Sequence, residues 1–137
     1  MSTIAITKEL VNVSGASDVA LNGYDPVAFF TDSQPTNGNF KITETHHGAT
    51  YYFANKQHKT MFAADPDKYA PQTGGFCSFG VSVGALFPVD INTWQVYNGK
   101  LYLNLNPDIL EMFKKDIDGN IAKAAKNWPG LVEKNAK

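Results

Sequence analysis

The chain has one cysteine, no long apolar run and no excess of either charge. A lone cysteine closes no internal disulfide, and cysteine usage leaves the compartment open. No stretch approaches the ~18 apolar residues of a membrane-spanning helix. Twelve basic against 13 acidic residues give a formal charge of −1, so there is no basic footprint for nucleic acid or an anionic membrane. The start Met1-Ser2-Thr3-Ile4-Ala5-Ile6 lacks the basic and apolar regions of a secretory signal. A cytoplasmic protein is expected if that start is native, and a periplasmic or secreted one if a leader was removed. A Gly-rich phosphate loop, His-Glu-x-x-His and Gly-x-Ser-x-Gly are all missing, and so is any internal repeat. These absences favour a binding module over an enzyme.

What is present suits one small domain. The 137 residues are 43% hydrophobic and 12% aromatic, enough apolar area for a single core without disulfide or metal staples. Residues 1–19 read as a weakly patterned arm with Ile4, Ile6, Leu10, Val11 and Val13, residues 20–131 as the folded domain and 132–137 as a tail. Asp25-Pro26 opens a helical turn. Strands are expected at about 40–45 and 49–53, joined by a turn holding His46-His47-Gly48. Tyr51-Tyr52-Phe53 is strongly strand-forming. Asn55 caps a helix over 56–64, and Asp65-Pro66 starts a short one through Tyr69. The run 77–83 reads as a helical turn. Asn98-Gly99, between the alternating runs 94–97 and 100–103, is the strongest hairpin signal in the chain. Asn106-Pro107 starts a helix to about Asp116, which Asp118-Gly119 breaks. A last helix over 120–127 stops before Pro129. Two hairpins with several short helices make an α+β domain.

Several of these segments also resemble the YHS domain family in order. Tyr51-Tyr52-Phe53, then His58, Phe62 and Asp65-Pro66-Asp67-Lys68-Tyr69 resemble its signature. The segments Gly23-Tyr24-Asp25-Pro26-Val27-Ala28-Phe29-Phe30, Pro71-Gln72-Thr73-Gly74-Gly75-Phe76-Cys77 and Gly99-Lys100-Leu101-Tyr102-Leu103-Asn104 fit the same family. The likeness covers about residues 20–130 and is strongest to small bacterial stand-alone YHS proteins, many of which resemble exported proteins. The metal-associated branch of the family implies cysteines at three positions, which here read Ala28, Ala54 and His58. The implied thiolate site therefore fails at two positions and survives, as imidazole, only at His58. Cys77 belongs to the stand-alone branch's own Gly-Gly-aromatic-Cys motif.

Two residues lead as candidate ligands. Cys77 reads as a small buried hydrophobe, a reactive thiol or a thiolate ligand, the last two favoured if it opens a helix. His58 edges the apolar face of its helix. It reads as a half-buried histidine bonded to backbone or as the partner of Cys77 in a soft-metal site, copper first and zinc second. Two ligands are too few for structural zinc, so a third comes from Met61, His46, His47 or an external molecule. His46 and His47 read as a solvated turn, because neighbours on a strand point to opposite faces. Asp65, Asp67 and Lys68 read as solvent-facing. Three functions stay open: a metal-binding module, a metal-free structural or protein-interaction domain, and a thiol-based redox protein or enzyme. In the last, Cys77 and His58 would act as nucleophile and base.

Overall fold

Two tight turns organise all the sheet structure. In the computed structural model, which describes residues 9–14 and 17–136, strands β1 (Asn39–His46) and β2 (Ala49–Phe53) form one antiparallel hairpin. Strands β3 (Asp90–Tyr97) and β4 (Lys100–Asn104) form the other. The turn residues His47-Gly48 and Asn98-Gly99 all have positive φ, 51° and 78° in the first turn and 50° and 75° in the second. Left-handed backbone at both central positions matches the twist of the flanking strands. Asn and Gly reach it readily, whereas His47 reaches it at some cost.

The helices follow their caps. Helix α1 (Ala28–Thr31) follows Asp25-Pro26, and α2 (Lys56–Ala64) starts where Asn55 Oδ1 accepts the His58 amide at 2.8 Å. Helix α3 (Pro66–Tyr69) has Pro66 in its first turn. Helix α4 (Ser78–Ser82) is capped by Cys77, and α5 (Pro107–Lys115) by Asn106 Oδ1 on the Ile109 amide at 2.9 Å. Short 3₁₀ turns lie at Leu21–Gly23 and Gln72–Gly75. The described residues form a small α+β domain of six helices and two separate hairpins.

The C-terminal helix corrects two expectations. Helix α6 runs Ile117–Asn135 without stopping at Pro129. Asp118-Gly119 is its first turn rather than a break. Asp116 caps it by accepting the Gly119 amide at 3.2 Å, and a side chain at Gly119 would collide with the Asp116 carboxylate. Pro129 removes one backbone bond, yet anchors just before it hold the helix in place. Asn127 Nδ2 donates to the Val81 and Ser82 carbonyls at 3.0 and 3.1 Å, and the Trp128 ring lies 6.4 Å from that of Phe76. Tertiary contact overrides the local signal.

In β2, Ala49, Tyr51 and Phe53 are buried and alternate with the half-buried Thr50 and Tyr52. Tyr51 and Phe53 meet the fully buried Phe62 of α2 at ring distances of 4.9 and 5.2 Å. Phe29, Leu101 and Leu103 complete the centre of the core. The arm is tied down locally: the Asn12 amide donates to the Gly74 carbonyl at 2.8 Å, and Val13 bridges Ala20. The arm residues Ile4 and Ile6 lie outside the described residues.

Candidate metal centre

His58 and Cys77, the leading ligand candidates from sequence, hold separate sets of partners. Asp25, fully buried, accepts four bonds. Its Oδ1 takes the Val27 and Ala28 amides at 2.8 and 3.3 Å, and its Oδ2 takes the Ala54 amide at 2.8 Å and His58 Nδ1 at 2.7 Å. His58 Nε2 lies 3.3 Å from Thr31 Oγ1. Both ring nitrogens are thus engaged, and the pair ties α2 to the segment that opens α1.

The Cys77 sulfur, at the start of α4, packs against the end of the other hairpin. It accepts the Gly80 amide at 3.4 Å and the Leu105 amide at 3.2 Å, and donates to Asn104 Oδ1 at 3.5 Å. No hydrogen bond joins Cys77 to His58, and their partners share no residue. Cys77 does open a helix, as the reactive reading requires, but it is 1% exposed. Burial pushes its thiol pKa up, against the smaller opposing pull of the Gly80, Leu105 and Phe79 amides. A neutral, covered thiol is a poor nucleophile. Native protein should therefore react with an alkylating reagent at pH 8 about 100-fold or more slowly than urea-unfolded protein, because opening must come first. Equal rates would put the thiol at the surface and overturn this assignment. Met61, a weaker ligand candidate, packs against the hydrophobic core.

The first hairpin turn behaves differently from its sequence reading. The left-handed backbone of His47 interrupts strand alternation, and the His46 and His47 rings come to 3.8 Å between centroids. Asp67 of α3 reaches the same point. Its Oδ1 lies 3.3 Å from His46 Nε2 and 3.8 Å from His47 Nε2. One ligand atom from each of the three residues falls within 4.8 Å of the others. Two ligands at 2.0–2.1 Å from a tetrahedral ion stand roughly 3.3 Å apart, so the spacing suits one ion with small adjustments.

Three details favour ligation. His46 Nε2 is buried and makes no hydrogen bond among the described residues, although Asp67 Oδ1 stands 3.3 Å away. Burial, then the neighbouring His47, lowers the His46 pKa, while Asp67 and Glu9 push the other way. The net direction favours the neutral imidazole that a metal needs. Finally, Glu9 Oε1 lies 2.7 Å from His47 Nδ1. A carboxylate accepting from Nδ1 directs the Nε2 lone pair outward, the usual carboxylate–histidine support of a metal ligand.

The expectation of a solvated turn at His46-His47 is corrected accordingly. His47 is exposed, but His46 is half-buried with its ring edge on Phe62 at 5.8 Å. Asp67 is indeed solvent-facing, with its side chain 82% exposed, while its carboxylate still reaches the pair. Sequence reading gave no role to Asp67 or Glu9, because only the tertiary fold brings α3 and the arm to the turn. Among known proteins, the chain matches no family model, no curated protein and no solved structure.

Proposed function

We propose that the protein is a binding module for a divalent transition metal, held by His46 Nε2, His47 Nε2 and Asp67 Oδ1. The observation that carries this reading is the convergence of the three ligand atoms around a buried imidazole nitrogen that makes no hydrogen bond among the described residues. Two imidazoles and a carboxylate suit zinc first and copper(II) second. Without a thiolate the set has little preference for copper(I). The resemblance to YHS domains, with their metal-associated branch, points to the same class of function through different residues.

Calorimetric titration of zinc tests the proposal. His46→Ala and Asp67→Asn should each weaken binding more than 100-fold, and Glu9→Gln, which acts through His47, by about 10- to 100-fold. Cys77→Ser should bind as wild type. Undiminished binding by His46→Ala, or its loss in Cys77→Ser, would return the site to the thiol.

A further inference from the structure

We propose that the cleft beside this centre admits a small organic carboxylate, which takes the metal's remaining coordination position and pairs with Lys100. The inference rests on the metal reading. Three protein ligands leave a tetrahedral ion one open position, as in sites that bind a water or substrate rather than serve only the fold. His46, His47 and Asp67 all line a cleft of about 310 Å³, so an ion held there would border a space large enough for a ligand. At about 20–30 Å³ per non-hydrogen atom, the cleft holds a molecule of about ten to fifteen such atoms.

The walls specify the chemistry. Val11, Pro71, Trp128 and Val132 supply apolar surface from the arm, from the loop after α3 and from α6. Gly74 shapes one end. A Cβ there would meet the Trp128 ring at 2.8 Å and collide with the Leu10 carbonyl, so the bare backbone lets both close in. Tyr51, almost wholly buried, also lines the cleft, and its hydroxyl makes no hydrogen bond among the described residues. Burial raises its pKa, which keeps the hydroxyl a donor. Lys100, at the start of β4, also lines the cleft and forms no ion pair among the described residues. Gln72 and Thr73 also line the cleft, the Thr73 hydroxyl engaged by backbone carbonyls, and Glu9 is held by His47. One cation, one open metal position and a largely apolar remainder fit a monoanion on an apolar body.

The probe is 2-naphthoate, with the neutral 2-naphthamide as its control. Both are titrated into zinc-loaded protein, zinc-free protein and zinc-loaded Lys100→Gln, and the zinc isotherm is recorded for each chain. The carboxylate should bind the zinc-loaded form about tenfold or more tightly than the zinc-free form, and should exceed the amide by a similar factor. Lys100→Gln should weaken the carboxylate about fivefold and leave zinc affinity unchanged. Zinc binding with naphthoate no better than naphthamide, or indifferent to zinc, overturns the cleft proposal and leaves the metal site standing. A flat zinc isotherm for wild type overturns the metal reading itself, and the two failures are told apart within one experiment.

Discussion

Asp25→Ala should cost about 3–5 kcal/mol of stability, measured as a fall in the urea midpoint at unchanged slope. The side chain is fully buried, and its two oxygens take three backbone amides and one imidazole N–H. Removing it strands all four donors away from water, and each stranded donor costs about 1–3 kcal/mol, with partial relief as the chain relaxes. Small domains have only about 5–15 kcal/mol in total, so the variant should stand near the edge of folding. His58→Ala should cost less, about 2–3 kcal/mol, because Asp25 keeps its three amides and only the imidazole and its volume are lost. The double variant should cost no more than about 1 kcal/mol beyond Asp25→Ala, as expected for residues that share one network. A loss below about 1 kcal/mol for Asp25→Ala would mean that the four bonds are replaced by water at no cost, and that this tie is not structural. The same comparison bears on the sequence reading of His58. A histidine kept to fasten two segments shows its effect in the urea midpoint, whereas one kept as a ligand shows it in the zinc isotherm.

Much of the fold is legible in the sequence because many of its determinants are local. Asn55 and Asn106 cap the helices they were expected to cap, and Asn98-Gly99 makes the turn its residues require. Local signals fail where distant groups decide. Pro129 reads as a stop, yet Asn127 and Trp128 hold α6 against α4 and Phe76 through that point. The candidate site shows the same division more sharply. Cys77 and His58 stand out by residue type, but their partners, Asn104 and Asp25, lie 27 and 33 residues away in sequence. His46 and His47 read as a turn because alternation would separate them, and only the positive φ of His47 brings the rings together. Asp67 and Glu9 have no local signal at all, since the fold alone brings α3 and the arm to that turn.

Phe62→Ala should have a comparably large effect, about 3–5 kcal/mol, and should be felt at the proposed metal site as well. The ring is fully buried at the junction of α2 and β2, within 5.2 Å of Tyr51 and Phe53 between centroids. Truncation leaves a void that the flanking aromatics fill only in part. Both are held in the paired strand β2 and cannot freely collapse into the void. The His46 ring stands edge-on to Phe62 at 86°, so the same void removes the wall that sets its orientation. A ligand freed to turn loses preorganisation, and zinc affinity should fall about tenfold even though no ligand atom has been removed. Phe62→Leu separates the two effects. It keeps most of the volume and should recover more than half of the stability, but a branched aliphatic cannot reproduce the flat wall, so zinc affinity should recover less. If zinc affinity instead follows stability in strict proportion across both variants, the coupling is only through the folded population, and Phe62 has no role in orienting His46. If Phe62→Ala loses stability with zinc affinity unchanged, the turn holds the two histidines by itself through the left-handed His47 backbone. The strain at that residue would then be what positions the centre, with the core merely supporting it from below.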